Sequence, residues 1–171
     1  GDVVTPSVFV TKHTDHEIAA LSDVIVRFVE PREMQRLFAE TKTIAAAFWW
    51  TTEQEHGMLR EQIVRLGRRP ALHRIPHFFL ELHRRLHLVG QATAESFFLP
   101  LTQHDIADAL GLSHVHVNRT LRKLVADGYI AYEGSMLQIP DSGRLAELCD
   151  FDLSHLHLDS TLATAQATGA A

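Results

Sequence analysis

The apolar and polar positions between Leu101 and Ile130 follow the pattern of two short helices joined by a tight turn. Thr102, with Asp105 three residues later, is a suitable start for a helix over 103–110, and Gly111 suits its end. Ser113 is placed to begin the next helix. The apolar positions fall on one face of each helix: Ile106, Ala107 and Leu110 on the first, and Val117, Leu121 and Leu124 on the second. This pattern predicts a helix-turn-helix.

The outward positions of the second helix form one stripe, which is typical of a helix that enters the major groove of DNA. Arginine can form two hydrogen bonds with guanine, and asparagine can form two with adenine. Asn118 and Arg119 are therefore the residues predicted to contact bases. The alternative is an ordinary helical pair with a solvated basic face. The full set of predicted DNA contacts is Thr102, Gln103, Ser113, His114, Val115, Asn118, Arg119, Arg122, Lys123 and Ser135.

A second periodic stretch predicts one long helix from Thr43 to about Leu66. Its apolar seam and the adjacent Trp49 and Trp50 indicate packing against a twin helix, because a reader of palindromic DNA needs a two-fold partner. The alternative is burial within the helix's own domain. The predicted dimer contacts are Ile44, Phe48, Glu55, Leu59, Ile63 and Leu66.

The remaining segments complete a predicted fold that is mainly α with small β elements. Residues 3–29 are rich in β-branched side chains and predict three strands, SVFV, HEIAAL and DVIVRFV. A short helix is expected from Pro31, a break at 67–70, and a further helix that is kinked or starts late near Ile75 because of Pro76. YIAYE and MLQI predict a two-stranded wing, SGRLAELC a last helix, and the residues after Ser160 a disordered tail.

Charge changes this picture in one respect. The chain of 171 residues has a formal net charge of −5, which argues against indiscriminate binding of nucleic acid. Residues 60–90 carry seven basic and two acidic side chains, whereas residues 91–171 carry four basic and ten acidic ones. A local positive face on an acidic protein favours binding as a dimer.

Other functional classes find little support in the composition. The single cysteine, Cys149, excludes an internal disulfide and is too little for an iron–sulfur cluster. No signal peptide or membrane-spanning run is recognisable, so a cytoplasmic location is expected. The sequence has no phosphate-binding glycine loop, nucleophile motif or evident acid pair, so we predict neither an enzyme nor a bound cofactor.

The motif TxxDIAxxLGLSxxxVxRxLxxL, after a long helix and before a glycine-turned wing, resembles the Crp/Fnr family of bacterial transcription regulators. The resemblance covers residues 1–153. It implies a homodimer that binds a palindromic site in double-stranded DNA and contacts RNA polymerase. It also implies an organisation with the remnant of a truncated jelly-roll sensor barrel over 1–40, a dimerisation helix over 41–66, a winged helix-turn-helix over 67–158 and a tail over 159–171.

Two departures from the family pattern limit what the resemblance implies. Where cyclic-AMP-binding members carry a phosphate cassette, this chain offers Thr5 and Pro6, then His16 and Glu17. A glutamate repels a phosphate, so we predict no cyclic-nucleotide binding. On the reader helix, many relatives have arginine and glutamate where His114 and Val115 stand. The carried-over base contact is then Arg119, and Val115 could touch a thymine methyl.

Twelve histidines suggest an alternative, a metal-responsive regulator. Two pairs of histidines are spaced by four residues, His73 with His77 and His83 with His87. Each pair could bind one zinc or nickel ion. Neither pair has an obvious third ligand, so no metal site is predicted. A dimerisation or interaction module that reads no DNA is a further alternative.

Overall fold

The computed structural model of the chain describes residues 3, 4, 13 and 16–158, and this part is mainly helical with a small antiparallel sheet, as predicted. Contacts divide the chain into a first unit, residues 1–60 with 154–171, and a second unit, residues 61–153. The helices are α1 Pro31–Glu40, α2 Lys42–Arg68, α3 Ala71–Leu88, α4 Gln103–Leu110, α5 His114–Ala126 and α6 Ser142–Cys149. The strands are β1 Ser96–Phe98, β2 Ala131–Glu133 and β3 Met136–Gln138, and a 3₁₀ turn covers Ser154–Leu156.

The predicted strands before α1 are not formed where the structure describes them. Residues 17–30 have no regular structure, although Ile25 and Phe28 belong to an apolar run. HEIAAL and DVIVRFV were therefore wrong as strands, and SVFV lies outside the described residues. Local β propensity cannot form a strand alone, because a strand needs hydrogen bonds to a neighbour that propensity does not supply.

The first unit is built on α1 and the amino-terminal part of α2. Pro31 opens α1 at a position where its missing N–H costs nothing, as predicted. Met34, Leu37 and Phe38 are half-buried, and the Phe38 ring packs edge-on against Phe48 with centroids 5.2 Å apart. Phe48 of the predicted dimer seam thus has a partner within its own chain.

The long helix α2 extends further than predicted. It comprises 27 residues and continues through Gly67 and Arg68, so the predicted break at 67–70 is confined to its last two residues. The helix ends before Arg69 and Pro70, where proline excludes the helical conformation of the preceding residue. A single internal glycine costs only about 1 kcal/mol relative to alanine, too little to end a helix.

The core of the second unit forms around α3. The late start near Ile75 was wrong, because α3 begins at Ala71 and includes Pro76. Ile75, Phe79 and Leu80 are buried there, so packing outweighs the hydrogen bond that proline cannot donate. Apolar residues of α4, α5, the strands and α6 complete the core: Ile106, Leu110, Val117, Leu121, Leu124, Phe97, Leu137 and Leu145.

The wing is a three-stranded antiparallel sheet in the order β1-β3-β2. The two predicted wing strands are confirmed, and Gly134 makes their turn with a positive φ of 61°. The segment before α4 supplies the third strand, β1, and pairs Phe97 with Leu137. The central strand β3 is thereby paired on both edges, with Leu137 opposite Phe97 of β1 and Tyr132 of β2.

Within the second unit, a buried charge cluster joins the end of α2 to α3 and α6. Arg65 donates to Glu81 at 2.6 Å and lies 3.2 Å from Nδ1 of His77, whose Nε2 is 3.0 Å from Glu61. Glu61 also accepts from Arg69, which donates to the carbonyl oxygen of Cys149 at 2.9 Å. Arg65 and Glu81 are only 1% and 6% exposed, so each charge depends on the other.

Candidate DNA-binding surface

The first helix of the helix-turn-helix begins with the predicted capping box. The hydroxyl of Thr102 accepts a hydrogen bond from the amide of Asp105, and the Asp105 carboxylate accepts from the amide of Thr102 at 2.7 Å. The side-chain hydrogen bond from Thr102 holds the pKa of Asp105 below its ordinary value. The contribution of this cap is therefore present at neutral pH and is lost as the pH falls through that lowered pKa.

The turn between the two helices depends on a glycine in the left-handed conformation. Gly111 has φ 59° and ψ 42°, a conformation costly for residues with a Cβ atom. A Cβ atom at Gly111 would also lie 3.3 Å from Cδ2 of Leu66. Ser113 then begins α5, its hydroxyl accepting from the amide of His116 at 3.3 Å. Both sequence-based assignments are confirmed.

Two side chains from outside the motif hold the end of α4. Gln62 donates to the carbonyl oxygen of Ala109 at 2.6 Å, and Arg74 donates to that of Leu110 at 3.2 Å. These carbonyls have no partner within a helix that ends at Leu110, and a cation at this end is favoured by the helix dipole. Sequence reasoning missed both residues, since no local pattern relates them to positions 36 or more residues away.

The predicted reading stripe on α5 is largely exposed. His114, Arg119 and Arg122 face outward, and Val115 is 75% exposed. The exposed side chain of Val115 leaves an apolar contact available. Lys123 is exposed too and pairs with Asp127 at 3.0 Å, a surface ion pair of small energetic weight.

Asn118, the other predicted base reader, is engaged by a side chain of α4. Its amide nitrogen donates to Oε1 of Gln103 at 3.0 Å, and both residues are partly buried. The hydrogen bond ties the start of α4 to the middle of α5. The amide of Asn118 keeps its second N–H and its carbonyl oxygen, which are the donor and the acceptor that a two-bond contact with adenine requires.

A groove of about 610 Å³ lies beside the stripe, between the start of α4, the second half of α5 and the wing. Arg122 and Thr102 give it polar walls, and Tyr132 of β2 closes one side. Desolvation by burial raises the pKa of Tyr132 to about 12, so the phenol stays protonated at neutral pH and keeps a hydrogen-bond donor. Ser135 is exposed at the wing turn.

The predicted dimer contacts on α2 differ in exposure. Leu59 and Ile63 are 61% and 72% exposed, and Ile44 and Leu66 are exposed to a lesser degree. Phe48 and Glu55 are half-buried. Trp49, not in the predicted set, is 73% exposed.

The paired histidines gain no metal ligands from the fold. His77 faces Arg65 and Glu61, and Nε2 of His83 lies 2.9 Å from the carbonyl oxygen of Thr93. In the part of the chain that the structure describes, no three His, Cys, Asp or Glu residues are grouped to hold an ion. Nor does any helix there have the length and apolar character to cross a membrane.

Comparison with known proteins agrees with this geometry. Residues 73–148 match the Crp-like helix-turn-helix domain. The transcriptional activator protein FnrL of Cereibacter sphaeroides is 29% identical over 136 residues, which cover 77% of this chain and 55% of FnrL. The nitrogen fixation regulation protein FixK of Bradyrhizobium diazoefficiens is 35% identical over 95 residues, 56% of this chain and 40% of FixK. The solved structure of FixK2 from Bradyrhizobium japonicum superposes with a TM-score of 0.62 at 28% identity, covering 70% of this chain and 59% of FixK2.

Residues 73–148 form a Crp-like helix-turn-helix domain, similar to that of Crp/Fnr-type regulators. Its capped α4, left-handed Gly111 and exposed α5 are the family's helix-turn-helix, which confirms the resemblance drawn from the sequence motif. The chain spans about half the length of the curated relatives it matches, 55% of FnrL and 58% of a probable transcriptional activator of Rhizobium leguminosarum.

Proposed function

We propose that this chain is the DNA-binding part of a transcription regulator that acts as a homodimer on a two-fold symmetric site. The observation that carries the proposal is the combination of a locally complete helix-turn-helix with a second helix whose basic stripe is exposed. The names of FnrL and FixK, an activator and a regulation protein, support the same role. Contact with RNA polymerase is part of the proposal and rests on the family alone.

Within this proposal, the contacts to bases and to phosphates come from different parts of the surface. His114, Val115 and Arg119 are the base-contacting set, because they are exposed together on the first two turns of α5. Asn118 belongs to the same set, because one N–H holds Gln103 while its second N–H and its carbonyl oxygen can contact a base. The remaining predicted contacts serve the phosphate backbone: Thr102, Gln103, Ser113, Arg122, Lys123 and Ser135.

The experiment that tests this function is selection of binding sites from random double-stranded oligonucleotides. We expect enrichment of a two-fold symmetric sequence. On that sequence, Arg119→Ala is expected to weaken binding by about 1 to 3 kcal/mol and to relax one base position in each half-site. Absence of enrichment at low salt would leave only the interaction-module alternative.

Lys123→Ala is the matched control for Arg119→Ala. Lys123 lies one turn further along α5, and its ammonium group supplies charge but not the planar pair of donors that arginine has. Its loss should therefore lower the affinity for all DNA sequences alike and reduce the dependence of that affinity on salt concentration. A gel-shift comparison of the selected site with a scrambled one separates the two effects. Equal loss on both duplexes with Arg119→Ala would show that Arg119 reads no base.

The dimer in this proposal forms through a seam on α2 that is mostly exposed. The seam consists of positions at alternating steps of four and three residues, the spacing of a coiled coil: Ala45, Trp49, Thr52, His56, Leu59, Ile63 and Leu66. Trp49, Leu59 and Ile63 are the most exposed of its apolar members. The seam is rotated slightly from the predicted set because Phe48 packs on Phe38.

Ile63→Lys is expected to raise the dissociation constant of the dimer at least about tenfold, since it places two like charges across the two-fold axis. Val64→Lys is the control, because the next position on the helix points about 100° away from the seam. Sedimentation at several protein concentrations measures both. Equal dissociation constants for the two variants would exclude this seam as the dimer contact.

Binding of cyclic AMP is not expected, for the charge reason given above; His16 and Glu17 are exposed, and Thr5 and Pro6 lie outside the described residues. The metal-responsive alternative has no observation in its favour, since His77 and His83 each face a protein partner.

A further inference from the structure

The 3₁₀ turn after α6 returns to the long helix within the first unit. Residues 154–157, here called the strap, lie against one row of α2 formed by Trp50, Gln54 and Gly57. These positions are four and three residues apart and share one helix face. Leu156 of the strap is only 2% exposed.

The strap is held by its main chain. Gln54 donates its side-chain amide to the carbonyl oxygen of Leu156 at 2.6 Å, and the indole N–H of Trp50 donates to that of His157 at 3.4 Å. The carbonyl group of His155 lies directly over Gly57, where a Cβ atom would overlap the oxygen and lie 3.2 Å from the carbonyl carbon. Gly57 is thus a notch that only a residue without a side chain can provide.

The backbone of the strap adopts a conformation that local preference disfavours. His157 has φ 50°, in the left-handed region that is uncommon for residues other than glycine, although asparagine, aspartate and histidine adopt it more often than the rest. Such a residue persists where surrounding contacts hold it. Here the contacts are the two hydrogen bonds to α2 and the burial of Leu156.

The strap covers the side of α2 that the exposed seam leaves free. Successive residues of a helix are rotated by about 100°, so Gly57 and Leu59 point in directions about 200° apart. Trp50 and Trp49 show the same division, because Trp50 contacts the strap whereas Trp49 is 73% exposed. Docking of the strap therefore leaves the seam open for a second copy.

The chain passes between the two units twice, at 60/61 along α2 and at 153/154 immediately before the strap. We propose that the docked strap is a second tether, which anchors the carboxyl end of the helix-turn-helix unit to α2 and so restricts the orientations available to that unit. This inference rests on the proposed function for its effect on DNA. A dimer must engage two half-sites at once. Restricting the orientation of the helix-turn-helix unit in both protomers before binding therefore favours the symmetric site.

Gly57→Ala tests the tether, and Gly67→Ala is its matched control. Both substitutions add one methyl group to α2 and gain helix propensity alike, but nothing lies within 4 Å of a Cβ atom at Gly67. We expect Gly67→Ala to raise the midpoint of thermal unfolding by about 2 to 4 °C. Gly57→Ala should fail to do so and should speed amide hydrogen exchange in residues 154–158 at least about tenfold.

Gln54→Leu is a second variant that removes a hydrogen bond to the strap without adding bulk at the notch. It should also speed exchange in residues 154–158, while α4 and α5 keep their protection. If both variants exchange in this segment as the wild type and Gly67→Ala do, the strap is not docked in solution, and the inference is overturned whatever the DNA result.

The DNA arm compares the selected symmetric site with a single half-site. Freeing the strap should lower affinity for the symmetric site about three- to tenfold and leave half-site affinity unchanged. Unchanged or increased affinity for the symmetric site, with the strap shown to be free, overturns the tether. A wild-type chain that binds neither duplex contradicts the proposed function, and the exchange data then decide the docking separately.

Discussion

Replacing Glu81 with alanine is expected to lower the free energy of unfolding by about 3 to 5 kcal/mol, because it leaves the charge of Arg65 buried without its partner. Arg65 donates to Glu81 at 2.6 Å, and the two side chains are almost completely buried. Since a domain of ordinary stability has only about 5 to 15 kcal/mol in total, a loss of this size would leave much of the protein unfolded on mild heating. Urea denaturation followed by circular dichroism measures the change.

Two controls define what the Glu81→Ala result means. Glu33→Ala removes a carboxylate from an exposed ion pair with Arg36 and should change stability little. The double substitution Arg65→Met with Glu81→Leu removes both charges and should be less destabilising than Glu81→Ala alone. A double variant as unstable as the sum of two single changes would show that the cluster is held by packing rather than by charge.

Leu124→Ala is expected to lower the free energy of unfolding by about 2 to 5 kcal/mol through the cavity it creates. Leu124 is fully buried on the inner face of α5. Its carbonyl oxygen accepts a hydrogen bond from the amide of Tyr129 at 2.9 Å, where the helix ends. Because this side chain packs α5 against the core, the affinity for specific DNA should fall in parallel with stability. The urea-denaturation midpoint and the affinity for the selected site would be measured on the same preparation.

Leu88→Ala is the control for Leu124→Ala. It makes the same chemical change at the last residue of α3, where the side chain is exposed, and should alter stability by no more than about 0.5 kcal/mol. A similar loss in both variants would contradict the assignment of Leu124 to the core. Loss of DNA binding by Leu124→Ala without loss of stability would show that this buried side chain sets the position of α5 rather than the stability of the fold.

The sequence was most informative where a few neighbouring residues settle the conformation. The hydrogen bonds of Thr102 with Asp105, and of Ser113 with His116, join groups three residues apart. Gly111 lacks the Cβ atom that disfavours the left-handed turn. The sequence-based bounds of α4, and the start of α5, could therefore be assigned without knowledge of the fold.

The candidate site was predicted less completely than the helices that carry it. Exposure of Val115 and Arg119 follows from helical spacing alone, and the structure agrees. The partner of Asn118 lies 15 residues away on another helix, and helical spacing does not reveal it. Gln62 and Arg74 similarly reach carbonyl groups of α4 from distant parts of the chain.

The sequence by itself determined the helix-turn-helix, because its caps, its glycine turn and its apolar faces are interactions within single helices or adjacent ones. Only the tertiary structure decided whether residues 17–30 found strand partners, which residues bury the charge of Arg65, and which face of α2 receives the strap at Gly57. The physical reason is the number of residues that separate the interacting groups along the sequence. A capping hydrogen bond spans three residues, whereas strand pairing, a buried ion pair and a backbone contact at Gly57 depend on where distant segments are brought by the packing of the whole chain.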